Sequence, residues 1–295
     1  MKLQQLFLHD SVVSQLSPEQ LVAAFEAEVS GLFFDARKVV KQSVFFAIKG
    51  SHSDGHDYIP QAIENGACAL VIENASAVPS DYQGLVYQVP NGREALDRLA
   101  SRFYYNPSER LFCFGVTGTN GKTSVTYILE HILNSYNKLT GVMGTVNHRV
   151  GETVWDSQMT TPDPITLQAR LQDFLKHKAF AAALEVSSHA LDQQRANSVN
   201  FNTTIFTNLT LDHLDYHKNM HNYFESKQKL FTDLMWTSNK KPLFAIINSD
   251  DSYGRRFKVA ETAIIWTYGQ KEADFQFKIL KKSLDLNFNN DILFR

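Results

Sequence analysis

The run from residue 115 to residue 123, which reads Gly-Val-Thr-Gly-Thr-Asn-Gly-Lys-Thr, constrains this chain more than any other segment. It follows an apolar run at residues 111–116 and precedes a segment with helical spacing. The apolar positions that share one face of that predicted helix are Val125, Leu129, Ile132 and Tyr136. A glycine-rich turn between a strand and a helix presents backbone N–H groups and the positive end of the helix dipole to a phosphate. The run therefore predicts a site for a nucleoside triphosphate.

The phosphate loop is shorter than the general P-loop pattern Gly-x-x-x-x-Gly-Lys-[Ser/Thr], whose first glycine would fall at Val116. Lys122 can reach the outer phosphates of a nucleotide, and the Thr123 hydroxyl can hold Mg²⁺. A Gly-Lys-Thr sequence also occurs by chance in structural loops, but the strand before it and the helix after it favour phosphate binding. The predicted ATP-binding residues are Gly118, Thr119, Asn120, Gly121, Lys122, Thr123 and Ser124.

The composition is that of an ordinary globular protein, with 43% apolar and 20% charged residues over 295 positions. This length is enough for about two domains. The net charge of −2 gives no electrostatic basis for binding nucleic acid or an anionic membrane. No segment approaches the ~20 apolar residues of a membrane span, and the apolar run at the start is too short for a signal peptide. Cys68 and Cys113 lie in apolar runs, which favours free thiols in a reducing cytoplasm.

Residues 1–105 read as a small N-terminal α/β domain. Apolar runs predict strands at residues 44–48 and 67–72. Helical spacing predicts helices at residues 58–65, where Gly66 is a stop signal, and at residues 92–104. The turn sequence Asn106-Pro107-Ser108 marks the best candidate for a domain boundary.

Residues 106–295 alternate between strand and helix patterns, which predicts a central P-loop domain with a mostly parallel sheet flanked by helices. The apolar strand candidates are residues 111–116, 179–186, 203–207, 243–248 and 262–267. Polar sequences follow four of these strands, namely the phosphate loop, Glu185–His189, Asn208–His217 and Asn248–Asp251. Ligands of open α/β sheets bind at the carboxyl ends of the strands, so these sequences predict one shared site.

Two of these polar sequences carry candidate metal ligands. Glu185 ends an apolar strand, where it could contact Mg²⁺ and nucleotide or form a structural ion pair. His213 lies among Asp212, Asp215 and His217, and four such residues within six positions favour a polar site over solvated side chains. For His189 the residue pattern favours neither a structural role nor a functional one.

The proline-rich sequence at residues 159–164 and the segment around Arg195 are candidates for substrate binding. Thr160 and Thr161 present two hydroxyls on a rigid loop, which is otherwise simply a turn before a helix at residues 165–176. Gln193 and Arg195 could be ordinary surface residues. If the substrate is an anion, Arg195 would instead bind its carboxylate or phosphate group.

Taken together, the phosphate loop, Glu185–His189 and Asn208–His217 resemble the Mur ligases, the ATP-dependent amide-bond ligases of peptidoglycan synthesis. Within that family the chain is most similar to the MurE type, which adds the third amino acid, meso-diaminopimelate or L-lysine, to UDP-MurNAc-L-Ala-D-Glu. Three further sequences carry the resemblance over nearly the whole chain: Phe34-Asp-Ala-Arg-Lys-Val39, Phe46-Ala-Ile-Lys-Gly50 through Asp54-Gly55, and Thr160-Thr161-Pro162.

The resemblance implies roles for residues at matching positions. Thr123 and Glu185 would bind one Mg²⁺, and His213 would bind a second. Lys227 matches a lysine that the family carries as a carbamate, whose anionic oxygens can ligate Mg²⁺; without the resemblance it reads as a solvated helical lysine. The implied catalytic residues are Lys122, His213 and Lys227. The implied substrate residues are Phe34, Ala36, Ser51, His52 and Ser53 for the uridine nucleotide, and Thr160, Thr161, Ser187, Gln193 and Arg195 for the muramoyl dipeptide.

The resemblance implies a two-step reaction, in which the D-Glu carboxylate takes the γ-phosphate of ATP and the incoming amine then displaces phosphate. Two residues depart from the family pattern: Ala36 stands where serine is frequent, and Met159 where a polar residue is common. The chain ends at Arg295, where a third domain that binds the incoming amino acid normally follows. We therefore expect slow turnover by residues 1–295 alone.

Three alternatives stand beside this interpretation. A folylpolyglutamate-synthetase-like ligase shares the phosphate loop but does not need the N-terminal domain. A binding module would keep the nucleotide contacts without completing a ligation. A generic P-loop NTPase explains the loop but not the cluster from Asp212 to His217 or the loop at Thr160 and Thr161.

Overall fold

The computed structural model describes residues 1–8, 16–50, 53–280 and 283–288. The chain forms two compact units, Met1–Asn106 and Pro107–Arg295. Among the helices of the described residues, none combines the length and the apolar content needed to cross a membrane. Both cysteines are free thiols, as predicted; Cys113 is fully buried and Cys68 is half-buried.

The N-terminal unit contains a four-stranded, fully parallel sheet in the order β1-β2-β3-β4. Its strands are β1 (Leu32–Phe33), β2 (Ser43–Ala47), β3 (Ala67–Ile72) and β4 (Leu85–Gln88). Its helices are α1 (Leu3–Leu6), α2 (Pro18–Glu26), α3 (Ile59–Glu64) and α4 (Gly92–Phe103). Strands β2 and β3 and helices α3 and α4 confirm the predicted elements. Gly66 takes the left-handed conformation, with φ of +96°, just after α3, which explains why the helix stops there.

The second unit contains a ten-stranded sheet in the order β14-β13-β12-β11-β10-β5-β9-β6-β7-β8. Its strands are β5 (Phe112–Thr117), β6 (Thr140–Met143), β7 (Asn147–Val150), β8 (Thr153–Asp156), β9 (Ala181–Glu185), β10 (Thr203–Phe206), β11 (Leu243–Asn248), β12 (Ala263–Gly269), β13 (Phe275–Leu280) and β14 (Ser283–Phe288). The seven strands from β13 to β6 run parallel, and β7, β8 and β14 pair antiparallel. This mostly parallel sheet confirms the predicted fold class.

Helices lie in several of the connections between the strands of this sheet. They are α5 (Lys122–Ser135), α6 (Pro164–Lys176), α7 (Ser188–Asp192), α8 (Leu214–His217), α9 (Met220–Gln228) and α10 (Asp233–Thr237). Every residue of β9 and β10 is buried, as is usual for strands covered on both faces. Strands β5, β9, β10, β11 and β12 correspond to the five predicted strands. The short strand β6 and the hairpin of β7 and β8 were not predicted, because β6 contains only four residues and one face of β8 is solvent-exposed.

Helix α5 follows the phosphate loop as predicted, but not all of the apolar positions that share its predicted face are buried. Ile132 and Tyr136 are 47% and 74% exposed, whereas the one fully buried side chain of the helix is that of Thr126. The helix packs against β6 and β9. The spacing identifies an apolar stripe correctly, but it does not reveal which side of the helix the sheet covers.

Candidate functional site

The phosphate loop lies at the carboxyl end of β5, the strand between β10 and β9. Gly118 and Gly121 have φ of +147° and +84°, which L side chains rarely adopt. A Cβ atom at Gly118 would also collide with Oγ1 of Thr207. Gly118 is therefore required both by its backbone conformation and by the close approach of the strand beside it.

The amides at the start of α5 point to an anion-binding function. Within the described residues, the N–H groups of Lys122, Thr123 and Ser124 donate to no protein acceptor, and Val125 makes the first helical bond, at 3.0 Å to the Gly121 carbonyl. Unpaired donors and the positive end of the helix dipole meet at this point. The loop therefore fits the phosphates of a nucleotide.

Lys122 lies folded over the loop. Its Nζ donates to the carbonyl oxygens of Gly118 at 2.9 Å and Thr119 at 2.8 Å. Burial lowers the pKa of Lys122, and the nearby carboxylates of Glu185 and Asp212 partly oppose this effect. The Lys122 amine therefore contacts the loop and is also influenced by the charges of two acidic side chains.

Lys227 on α9 is buried, not solvated as its sequence position alone suggests. Its Nζ donates to the carbonyl oxygen of Gly118 at 3.0 Å and lies 4.6 Å from the centre of the Tyr223 ring. Desolvation lowers the pKa of Lys227 well below its ordinary value, and the charge of Lys122 lowers it further. Two lysine amines thus meet at one carbonyl oxygen of the phosphate loop.

Glu185 is buried at the carboxyl end of β9. Its Oε1 accepts the backbone N–H of Thr145 at 3.1 Å, and its Oε2 accepts the Thr145 hydroxyl at 3.0 Å. Within the described residues, no lysine or arginine lies at ion-pair distance from this carboxylate, so it does not form the structural ion pair considered above. Gly144 allows the close approach, because a Cβ atom there would collide with Oε1.

A hydrogen-bond network joins the five residues predicted to hold the muramoyl dipeptide. Thr161 is buried, and its Oγ1 lies 2.9 Å from the Glu185 carbonyl oxygen and accepts the Ser187 N–H at 3.0 Å. Arg195 donates from Nη1 to the Thr161 carbonyl at 3.0 Å and from Nε to Gln193 at 3.1 Å.

Thr160 joins the same network through its hydroxyl, which lies 3.0 Å from that of Thr145. The structure therefore brings the predicted dipeptide residues together around the end of β9.

His213 projects from the segment after β10 and is half-exposed, with Nε2 3.4 Å from Oδ2 of Asp212. Its ring centre lies 4.9 Å from that of His189, whose pKa is lowered by burial and then by His213. His217 is buried, with Nε2 2.9 Å from the Ser188 hydroxyl, and burial lowers its pKa to about 4. These histidines stand beside one another at the edge of the sheet.

No three His, Cys, Asp or Glu side chains converge to hold a metal ion within the part of the chain that the structure describes. The predicted Mg²⁺ ligands Thr123, Glu185 and His213 therefore form no closed protein cage. Mg²⁺ usually keeps water ligands and binds to one or two protein groups plus substrate phosphates, so such an open donor set fits it.

The predicted uridine-nucleotide residues lie in the N-terminal unit. Phe34 is 46% exposed, whereas the Ala36 side chain is buried in the core of that unit and its carbonyl accepts from Asn65 at 2.9 Å. The buried Ala36 side chain offers a ligand no polar contact, so a role for this residue through its backbone stays a prediction. Ser51 and His52 lie outside the described residues, and Ser53 is exposed.

Two residues of the site escaped the sequence reasoning. Thr145 follows β6, a strand too short to recognise. Tyr223 lies four positions before Lys227 on α9, so helical periodicity places both on one face and could have revealed the pair. The Tyr223 hydroxyl also lies 3.2 Å from that of Thr119 in the phosphate loop.

The fold and the loop define the class of this protein: it is an α/β protein with a P-loop-type turn at the carboxyl edge of a mostly parallel sheet. A model of the Mur ligase middle domain matches residues 116–291, and a model of the Mur ligase catalytic domain matches residues 28–104. The chain belongs to the Mur ligase family.

Curated relatives give the same result. The chain is 43% identical over 243 residues to the UDP-N-acetylmuramoyl-L-alanyl-D-glutamate–2,6-diaminopimelate ligase of Geobacter sulfurreducens, a match that covers 82% of this chain and 47% of the relative. The ligase of the same name from Aquifex aeolicus is 45% identical over 245 residues, covering 82% and 48%. The chain thus spans about half the length of the curated relatives it matches.

Solved structures share the fold. A solved UDP-N-acetylmuramoyl-L-alanyl-D-glutamate–2,6-diaminopimelate ligase superposes with a TM-score of 0.78 at 26% identity, covering 97% of this chain and 57% of that one. The MurF ligase of Thermotoga maritima in complex with ADP superposes with a TM-score of 0.53 at 21% identity, covering 87% and 55%, which shows the common fold.

Proposed function

We propose that this chain carries the ATP site and the UDP-substrate site of a ligase that joins 2,6-diaminopimelate to UDP-MurNAc-L-Ala-D-Glu. The names of relatives at 38–45% identity support this substrate and this amino acid. The match to a catalytic-domain model over residues 28–104 favours it over the folylpolyglutamate-type alternative and the generic NTPase. Since ATP and UDP-linked precursors are cytoplasmic compounds, this function implies a cytoplasmic location.

The observation that carries the proposal is the meeting of Lys122 and Lys227 at the Gly118 carbonyl, beside the buried carboxylate of Glu185. A simple phosphate loop needs only one lysine. A second, fully buried lysine whose pKa is strongly lowered is instead suited to react with CO₂. Its neutral nitrogen would attack the carbon of CO₂ and lose a proton to solvent, which leaves a carbamate anion.

The residues that would hold Mg²⁺ are Thr123, Glu185, His213 and the carbamate of Lys227. When bound, Mg²⁺ would offset the negative charge of the transferring phosphoryl group. These donors are a hydroxyl, a carboxylate, an imidazole and a carbamate, and the three oxygen donors are of the type that Mg²⁺ prefers.

The protein groups then divide the work of phosphoryl and acyl transfer. The Arg195 network would orient the D-Glu carboxylate, whose oxygen attacks the γ-phosphorus of ATP and releases ADP, leaving an acyl phosphate. Lys122 and the amides from Lys122 to Ser124 would hold the phosphate oxygens during transfer. The neutral incoming amine attacks the acyl carbon and gives up one proton, and inorganic phosphate takes that proton and leaves with the C–O bond electrons.

The proposal is tested by calorimetry with UDP-MurNAc-L-Ala-D-Glu, with UDP-MurNAc-L-Ala as the matched control ligand, in the presence of Mg²⁺ and a non-hydrolysable ATP analogue. We expect micromolar binding of the dipeptide nucleotide and at least about tenfold weaker binding of the control, because the D-Glu carboxylate is lost. Equal affinity for the two ligands would contradict the assignment of the dipeptide network. If the chain bound the ATP analogue but neither UDP ligand, the UDP-substrate site would be contradicted.

The Lys227 carbamate is tested by ¹³C NMR of the protein in ¹³C-bicarbonate. We expect a carbamate carbonyl signal in the wild type that is absent from Lys227→Arg and retained in Lys229→Arg, a control two positions away on a more exposed lysine. A signal that survives in Lys227→Arg would contradict the carbamate.

A further inference from the structure

We propose that Asn208 is a positioning residue that holds the phosphate loop in its nucleotide-binding shape, and that Asp251 holds Asn208 in place. The inference rests on the ATP site of the proposed function. Asn208 is the first residue after β10, and Asp251 follows β11, so both lie at the same sheet edge as the loop.

Asn208 makes three hydrogen bonds to two consecutive residues of the loop. Its side-chain Oδ1 accepts the Asn120 N–H at 2.9 Å, and its Nδ2 donates to the Asn120 carbonyl at 3.1 Å. Its own backbone carbonyl accepts the Thr119 N–H at 2.8 Å. A side-chain amide that pairs with both polar groups of one residue fixes the orientation of that residue, much as a neighbouring strand would.

This arrangement separates the loop amides into two sets. The N–H groups of Thr119 and Asn120 are occupied by Asn208, whereas those of Lys122 to Ser124 have no protein acceptor within the described residues. Thr207 Oγ1 also donates to the Asn120 carbonyl at 2.6 Å, and the Thr119 hydroxyl accepts the Thr210 N–H at 3.0 Å. Among these bonds, those to the Thr119 and Asn120 N–H groups come from Asn208. Since preorganised donors avoid the entropic cost of ordering on binding, Asn208 should raise nucleotide affinity without touching the nucleotide.

A second layer supports Asn208 from the end of β11. Oδ2 of Asp251 accepts the N–H of Leu209, the residue after Asn208, at 2.9 Å, and its Oδ1 accepts the Tyr253 N–H at 2.8 Å. Asn248 donates to the carbonyl of Thr207, the residue before Asn208, at 2.7 Å. The backbone on both sides of Asn208 is therefore bound to the neighbouring strand end.

The first test compares Asn208→Ala with Asn202→Ala. Asn202 precedes the same strand β10, and its Oδ1 accepts the N–H of Cys113 at the opposite end of β5, at 2.9 Å. Asn202→Ala loses a side-chain bond to β5 itself, whereas Asn208→Ala loses two side-chain bonds to the phosphate loop that follows β5. The measurement is the affinity of the full chain for Mg²⁺ and a non-hydrolysable ATP analogue by calorimetry, below the unfolding temperature of each variant.

We expect Asn208→Ala to weaken nucleotide binding by about tenfold or more, because two hydrogen bonds to the loop are lost. Asn202→Ala should change the affinity by less than about twofold, while lowering the unfolding temperature. Wild-type affinity in Asn208→Ala, or an equal loss in Asn202→Ala, would overturn the inference and leave the ATP site standing. Absence of nucleotide binding by the wild type would overturn the ATP site and the inference together.

The second test compares Asp251→Asn with Asp250→Asn. Each removes one negative charge, but within the described residues the Asp250 carboxylate accepts the Gln270 N–H, away from the loop. An asparagine at 251 can satisfy one of the two N–H groups and not both, so we expect a several-fold loss of nucleotide affinity there. We expect Asp250→Asn to change the nucleotide affinity by less than about twofold. Equal effects of the two variants would show that charge alone acts, and would overturn the role of Asp251.

Discussion

At the scale of single residues, the surroundings of a side chain decide its chemistry more than its identity does. Lys122 and Lys227 both donate to the Gly118 carbonyl, yet only Lys227 is fully buried and strongly shifted in pKa. Lys122 keeps two carboxylates nearby, which favour its charged form. One lysine is thus suited to hold phosphate as a cation, and the other to be modified as a neutral amine.

The two glycines of the phosphate loop should respond differently to a methyl group. Gly118→Ala adds both backbone strain and a collision with Thr207, so we expect at least about a tenfold loss of nucleotide affinity. In Gly121→Ala the added Cβ atom would lie no closer than 3.9 Å to another atom. The substitution should therefore cost about 1 kcal/mol through backbone strain alone. Gly151→Ala, at φ of +54° in the β7–β8 turn, is the control for strain without nucleotide contact. Calorimetry with the ATP analogue measures the affinities, and equal losses in Gly118→Ala and Gly151→Ala would contradict this account.

His217 should make stability fall in mild acid. Burial lowers its folded pKa to about 4, below the usual value of 6.5, so the unfolded chain binds the proton more tightly. The contribution of neutral His217 is complete above pH 6.5, is lost as the pH falls from 6.5 to about 4, and changes no further below that. We expect a loss on the order of 2 kcal/mol over that interval, measured by urea unfolding.

The variant His217→Asn should flatten this part of the stability profile, although it lowers stability at neutral pH. His221→Asn, an exposed position on the next helix, α9, is the control and should keep the wild-type slope. A slope between pH 6.5 and 4 that is the same in wild type and His217→Asn would contradict the prediction.

At the scale of elements, the carboxyl ends of four parallel strands build the candidate site. β5 leads into the phosphate loop, β9 ends in Glu185, and the segments after β10 and β11 supply Asn208 and Asp251. Parallel pairing places these ends at one edge, and hydrogen bonds between the connecting segments lock them together. The antiparallel hairpin of β7 and β8 widens the sheet beyond β6, the strand that delivers Thr145.

Because α5 exposes one face and buries another, a lysine should lower the free energy of unfolding more on the buried face than on the exposed face. Ile132→Lys should change the free energy of unfolding by no more than about 0.5 kcal/mol, because Ile132 is 47% exposed. Thr126→Lys should cost about 3 kcal/mol or more, because Thr126 is fully buried and its hydroxyl donates to the Thr123 carbonyl. Urea unfolding measures both variants, and a larger cost for Ile132→Lys would mean that the helix buries the opposite face.

At the scale of the whole molecule, the proposed function assigns different ligands to the two units. Phe34 and its neighbours lie in the unit Met1–Asn106, and the phosphate loop lies in the unit that follows. Each unit has its own apolar core. The proposed function thus assigns recognition of the uridine nucleotide to one compact unit and recognition of ATP to the other.

Hydrogen exchange should separate these two binding events. The Mg²⁺ complex of the ATP analogue should protect the amides from Lys122 to Ser124, which have no protein acceptor within the described residues. UDP should protect amides around Phe34 in the N-terminal unit and leave those of the loop unchanged. Mass spectrometry of the full chain measures both patterns. Protection of the N-terminal unit by the ATP analogue alone, or of the loop by UDP alone, would contradict the division.

The sequence by itself determined the fold class, the strands that carry polar ends and the phosphate loop, because those features depend on local periodicity and on glycine placement. It did not determine the burial of Lys227, the role of Thr145 or the exposed face of α5. These three features depend on contacts between residues that are far apart in the sequence. Only the tertiary structure places a helical lysine against the Gly118 carbonyl 109 positions away, and only there does desolvation change its chemistry.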